Sequence, residues 1–210
     1  MTTPPTTPAR RVRNPRGAGA LLGDQIVTAA LTVVDEGGVG GLTLRGLARI
    51  VGVSAPAIYA HFADIDAILL AVARQAFADL TEHLSAAGHG SAPPETRLRA
   101  VCRAYLDYAQ QHPGRYHVMF NGQWDATAAI DRGAVEPRVV NELGQDALSV
   151  FVEAIRACRR DPPRDPYPDA VITWVFLHGY IHQRLVSRAF PWPPDITQDV
   201  LETVVGRCLR

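Results

Sequence analysis

The chain has 210 residues, 47% of them hydrophobic, which is enough for one or two domains around a sizeable core. No apolar run approaches the roughly 18 residues of a membrane-spanning helix, and the opening MTTPPTTPARRVRNPRGAG lacks the hydrophobic stretch of a signal peptide, so a cytoplasmic protein with no membrane contact is expected. The 21 basic and 21 acidic residues cancel overall but are unevenly placed. Residues 1–63 hold Arg10, Arg11, Arg13, Arg16, Arg45 and Arg49 against Asp24, Asp35 and Glu36, so this end is the one that attracts a polyanion.

In chain order, residues 1–20 are rich in Thr, Pro and Arg and are predicted to form a disordered tail. Leu22, Ile26, Ala29, Ala30, Val33 and Val34 recur at helical spacing, and the glycines of EGGVGG at 36–41 end that helix. Thr43 is placed to cap a short helix with Leu44, Leu47, Ala48 and Val51 inward and Leu42 with Leu47 as a hydrophobic staple; Gly52 stops it. Ser54 opens the next helix, with Pro56 in its first turn and Val53 with Ile58 as a second staple. Two short helices across a tight glycine turn make a helix-turn-helix. From Asp64 a longer helix carries Ile68, Leu69, Val72, Ala76, Leu80 and Leu84 on one stripe and ends near AAGHGSAPP at 86–94. Further helices are predicted at about 95–111, 136–159, 169–189 and 195–209. The expected fold is all-α with about nine helices, and the arithmetic of three cysteines, Cys102, Cys158 and Cys208, each in an apolar helical pattern, points to buried thiols.

The stretch GVSAPAIYAHF at 52–62 carries the first functional signal. Advancing about 100° per residue puts Ile58 and Phe62 on the buried side, Tyr59 and His61 on the two flanks, and Pro56, Ala57 and Ala60 outward. Such a smooth outward face suits a DNA major groove, with the small residues against base edges and thymine methyls and the Tyr and His reaching phosphates; a purely structural helix hairpin is the alternative.

LTLRGLARIVGVSAPAIYAHFADIDAIL at 42–69 resembles the N-terminal domain of the TetR family of transcriptional regulators. The resemblance implies DNA contacts from Thr43, Arg45, Ser54, Tyr59 and His61, mainly to the backbone, and Ala55, Pro56 and Ala57 complete the candidate DNA-binding residues. Where the family usually places a Lys three residues after the Phe, this chain has Ile65, and the tail arginines are candidates to compensate. Arg45 has the planar fork that reads guanine O6 and N7, and equally the charge to clamp a phosphate. The expected partner is a palindromic double-stranded DNA operator, with a guanine opposite Arg45 beside thymines on Ala57.

Further on, HPGRYHVMF at 112–120 and WVFLHGY at 174–180 resemble the TetR subgroup named for a Trp-His-Gly motif, here Trp174, His178 and Gly179. The implied organisation is a tail at 1–20, a three-helix DNA-binding domain at 21–66 and a helical ligand-binding and dimerisation domain at 67–210. The helices at 169–189 and 195–209 are expected to pair with their mates in a homodimer. Tyr105, Tyr108, Met119, Phe120, Trp124, Trp174 and His178 are the candidate lining for a small, mostly apolar or aromatic effector, with Arg115, Arg184 and His178 as polar anchors. The expected action is repression relieved by that effector. The alternatives are a metal-responsive regulator using His178 and His182 at i, i+4, with Cys158, His117 or a carboxylate as a further ligand, and a redox-responsive one. No nucleophile elbow, phosphate loop, HExxH or paired-cysteine motif is present, so no catalytic residues, resident metal or cofactor are expected.

Overall fold

A computed structural model describes residues 18–120, 130–131, 135–159 and 164–209; the arginines of the tail and Trp124 lie outside the described residues. All regular structure among the described residues is helical. The helices are α1 (Ala18–Gly37), α2 (Leu44–Val51), α3 (Ala55–Tyr59), α4 (Ile65–Gly88), α5 (Pro94–Gln111), α6 (Pro113–Phe120), α7 (Pro137–Glu142), α8 (Gln145–Cys158), α9 (Tyr167–Val186) and α10 (Ile196–Cys208).

Local chemistry accounts for the N-terminal elements. The Thr43 hydroxyl accepts the Gly46 N–H at 3.0 Å and starts α2. Gly52 ends α2 with φ 77, a left-handed position that turns the chain into α3. Both staples close: Leu42, Leu47 and Ile58 are buried, and Val53 packs against the same core. The Asp64 carboxylate accepts the Ala67 N–H at 2.8 Å and starts α4. α3 itself is only five residues long, so Ala60 and His61 lie just past its end, held by the His61 and Phe62 N–H groups donating to the Ile58 carbonyl.

Two apolar cores result. One gathers Ile26, Ala30 and Val34 of α1, Leu47 of α2, Ile58 of α3 and Ile68, Leu69 and Val72 of α4. The other is built from Leu80 and Leu84 of α4, most of the inner face of α5, Phe151 and Ile155 of α8, and the inner faces of α9 and α10. α4 and α6 belong to both cores: α6 puts Val118 into the first and Tyr116 into the second. The sequence pattern had suggested one helix over 136–159; it is broken into α7 and α8 at Leu143–Gly144, where Gly144 takes φ 80 and the Phe77 ring occupies the place of a side chain. No helix of the described residues is long and apolar enough to cross a membrane.

Gly114, at the start of α6, packs directly against the backbone of α1. A β-carbon there would stand 2.2 Å from the Val34 carbonyl oxygen of α1, and neither backbone can yield cheaply. Gly114→Ala is expected to destabilise the fold by about 2 kcal/mol or more, lowering Tm by roughly 5 °C or more in a thermal melt.

Candidate nucleic-acid interface and effector site

The residues around α3 form one exposed face. Pro56, Tyr59, Ala60 and His61 are exposed, Ala55 and Ala57 are half-buried, and Ile58 beneath them is fully buried and fixes the helix to its core. The Ser54 hydroxyl makes no capping hydrogen bond and is exposed. The Thr43 hydroxyl is exposed too, but it already accepts from Gly46. Arg45 and Arg49 are exposed on α2, and among the described residues neither stands in an ion pair. His61 lies close to α1, its Nδ1 3.8 Å from where a β-carbon of Gly23 would be. Ile65, the departure from the family pattern, is half-buried against the N-terminal core. The face therefore offers small apolar groups at its centre and cations, hydroxyls and an imidazole around them, which is what a groove lined by phosphates can receive.

The aromatic candidates of the C-terminal part separate into two places. Trp174 Nε1–H donates to the Tyr105 hydroxyl at 3.1 Å, Tyr105 and Tyr116 hydroxyls meet at 3.3 Å, and the Tyr116 hydroxyl meets His178 Nδ1 at 2.7 Å. The indole N–H donates to Tyr105; either tyrosine hydroxyl can donate to the other, and the direction of the Tyr116–His178 bond follows the tautomer of His178. Burial pushes the Tyr105 hydroxyl up to about 12 and raises Tyr116 as well, which keeps both protonated as this chain requires. Phe120 packs edge-on to His178 with ring centroids 4.8 Å apart and also touches Tyr116 and Trp174. Met119 packs half-buried against this core. Tyr108 belongs elsewhere: its hydroxyl donates to the Ala76 carbonyl at 2.9 Å on α4.

Beside this cluster an open hollow of about 730 Å³ is lined by His117, Phe120, His178, Gly179, His182, Gln183 and Val186. Tyr105, Tyr108 and Trp174 do not line it, because they are satisfied within the core. Tyr116 was missing from the sequence candidates although it holds His178; its only signal was its place in the HPGRYHVMF stretch. Two suggested anchors have other partners. Arg115 donates to both Asp35 oxygens, at 3.0 and 3.1 Å from Nε, and to Asp79 at 2.7 Å from Nη1. The Arg184 guanidinium lies 5.4 Å from the Trp192 ring centroid.

Among the described residues no group of three or more His, Cys, Asp and Glu is arranged to hold a metal ion, so the histidine pair on α9 gains no partner set. Cys102 and Cys208 are buried and Cys158 half-buried; burial raises all three thiols above their ordinary range, and none is in a disulfide. Thiols so placed hold little thiolate and react slowly.

An all-α chain that carries a helix-turn-helix ahead of a larger helical bundle has the build of a bacterial transcriptional regulator. A model of bacterial regulatory proteins of the tetR family matches residues 26–72, and a model of the tetracyclin repressor-like C-terminal domain matches residues 98–207, over half of the chain. The uncharacterized HTH-type transcriptional regulator Rv0681 of Mycobacterium tuberculosis is 29% identical over 164 residues, 75% of this chain and 67% of its own. A solved structure of a protein of unknown function from Rhodococcus sp. RHA1 aligns with TM-score 0.69 at 26% identity, over 90% of this chain and 94% of its own. BioQ, solved with its natural double-stranded DNA operator, shares the fold at TM-score 0.56 and 21% identity, over 89% and 97%. The chain belongs to the TetR family of DNA-binding transcriptional regulators.

His178 lies below the ordinary histidine value, first because it is buried and then because His182 is near. A histidine depressed in the folded state favours folding fully above its unfolded value near 6.5, and that contribution is lost as pH falls through the lower folded value. Acidification from about pH 7.5 to about pH 5 is therefore expected to lower Tm more in the wild type than in His178→Gln, read from paired thermal melts.

Proposed function

We propose that the protein is a dimeric repressor that holds a palindromic operator through α3 and the start of α2, and releases it when a small, mostly apolar or aromatic molecule enters the hollow beside Phe120 and His178. The observation that carries this reading is the continuity from hollow to helix-turn-helix. Phe120 and Tyr116, which touch His178, lie on α6, and the same short helix presses Gly114 on α1 and ties Arg115 to Asp35 and Asp79. A molecule that wedges against Phe120 or hydrogen-bonds to the His178 ring displaces α6, and α1 must follow. The apolar aromatic surroundings favour an aromatic or aliphatic body with one polar group for the His178 ring.

On the operator, Tyr59, His61, Ser54 and Thr43 are assigned to phosphates, Ala55, Pro56 and Ala57 to close apolar contact, and Arg45 to a guanine. That BioQ was solved on its operator supports the docking of this fold on duplex DNA. The dimer is assigned to α9 and α10. Ile172, Val175 and Phe176 are exposed at 41%, 54% and 45%, and they leave α9 an apolar stripe that a second copy would cover. The same unit division is proposed, with the tail at 1–20, the DNA-binding domain at 21–66 and the remainder for ligand and partner.

Two experiments test these assignments. In gel-shift titrations, Tyr59→Phe and His61→Ala are expected to weaken binding to all sequences alike with a shallower salt slope, whereas Arg45→Ala costs about 1–3 kcal/mol and relaxes preference at a single guanine. A variant selection that returns the parental logo, weaker throughout, assigns Arg45 to the backbone instead. Phe176→Glu places a carboxylate in the centre of the α9 stripe and is expected to yield a monomer by light scattering, with operator affinity lowered by about 100-fold or more as the second half-site is lost. A dimeric Phe176→Glu protein of unchanged affinity refutes the α9 interface.

A further inference from the structure

The hollow beside Phe120 and His178 has a polar lining of one kind. Its titratable groups are three imidazoles, His117 from α6 with His178 and His182 from α9, and no carboxylate or arginine stands among its described lining residues. His178 and His182 lie at i and i+4, one turn apart on α9, where side chains of a helix are neighbours. Gly179 keeps the floor beside them open, since a β-carbon there would have nothing within 4 Å. Phe120 and Val186 supply apolar walls to the roughly 730 Å³ of space.

A neutral imidazole offers one N–H donor and one acceptor, and a protonated one offers two donors and a positive charge. Three of them with no acid between give an ammonium head no counter-charge. An anion, in contrast, meets N–H donors and is held more strongly once a ring is protonated. Burial, and then the nearby His182, hold His178 below the ordinary histidine value. A negative charge between the rings opposes both effects and favours the imidazolium.

The other charged and titratable groups around the pair are engaged elsewhere. On α6, Arg115 is turned to Asp35 and Asp79, and burial keeps the Tyr116 hydroxyl protonated, as it does Tyr105 on α5. On α9, Asp169 is paired with Arg159 and Arg207, the Tyr180 hydroxyl meets Thr197, and the Arg184 guanidinium lies over the Trp192 ring. The imidazoles are therefore the groups that a ligand in the hollow can bring to titration.

We propose that the ligand of this hollow is a weak acid with an aromatic or aliphatic body, bound as its carboxylate between the imidazoles of α6 and α9, one of which takes up a proton from the solvent. The carboxylate class rests on the reading of this hollow as the effector site.

Cinnamate, cinnamyl alcohol and cinnamylamine share one aromatic body and differ in head group, and isothermal titration of each into the full chain at about pH 6 and about pH 8 tests the proposal. A carboxylic acid with a pKa near about 4 is ionised at both, so a pH dependence belongs to the protein. Cinnamate is expected to bind saturably and about tenfold or more tighter at the lower pH, with a binding heat that changes with the ionisation heat of the buffer as a proton is taken up. Cinnamyl alcohol is expected to bind about tenfold more weakly at the lower pH without that dependence, and cinnamylamine not at all. His182→Gln keeps a polar side chain without its titration and is expected to shrink the pH effect by about threefold or more. Gly179→Leu fills the floor and is expected to weaken cinnamate by about tenfold or more. Wild-type circular dichroism and Tm verify that both variants fold, and if one melts early the other decides.

Cinnamate that fails to bind, that takes up no proton, or that is indifferent to both variants overturns the proposal. Cinnamyl alcohol that binds as tightly as cinnamate and is lost in Gly179→Leu overturns the acid while leaving the hollow a site for neutral molecules. Cinnamate that binds as expected but leaves the operator complex intact in a gel shift upholds the acid site and refutes its part in release.

Discussion

The contact between α1 and α6 is the constraint on which the rest of the molecule depends. Because residue 114 has no side chain, α6 can press against the last turn of α1, and only that approach brings Arg115 within reach of Asp35. The guanidinium then spans three helices, with Asp35 on α1 and Asp79 on α4. An exposed pair between two such groups would contribute little, about 0–1 kcal/mol. Here the arginine side chain is 19% exposed and its two partners about 30%, and the geometry to Asp35 is bidentate, so the junction fixes orientation more than it adds stability. Val118 in one core and Tyr116 in the other complete the effect: α6 cannot slide without disturbing both.

The polar chain behind α6 sets how such a slide could be triggered. Trp174, Tyr105, Tyr116 and His178 are joined by successive hydrogen bonds in an otherwise apolar core. A chain of this kind is stable when complete and loses more than one bond when a single member is pulled away. On the proposed reading, breaking it from the hollow is how an effector would bear on α6 and, through α6, on the DNA-binding face.

How far the sequence could be read follows from the range of the interactions involved. The helix-turn-helix was legible because everything that defines it lies within a few residues: Thr43 with Gly46, Leu42 with Leu47, Gly52 in its turn, Asp64 with Ala67. The all-α class was legible for the same reason, from helical periodicity. The break at Gly144 was not, since its cause is the Phe77 ring on α4, far along the chain. Helix α6 was passed over because Pro113, Gly114 and two polar residues mask its short apolar pattern, and it is held by tertiary contact with both cores. Arg115 looked like a spare cation for an effector because Asp35 and Asp79 are 80 and 36 residues distant, beyond any local rule. Tyr116 escaped notice as a partner of His178, 62 residues away, for the same reason.

The shortness of α3 limits how this regulator can read DNA on the proposed docking. Five residues give little more than one turn, and its outward positions are Pro56 and Ala57, neither with a side-chain hydrogen-bonding group. Base discrimination through such a surface is confined to apolar contact and shape, while hydroxyls, Tyr59 and the α2 arginines act at longer reach from the groove walls. The weaker the readout of each half-site, the more the recognition rests on presenting two of them at the right spacing. Spacing is what α4 and the proposed α9 interface would set, and what the α1–α6 junction would transmit. A protein with an articulate recognition helix could tolerate a small shift between its half-sites; one with a smooth, short helix tolerates less, so under the proposed mechanism a modest displacement of α6 would suffice to release it.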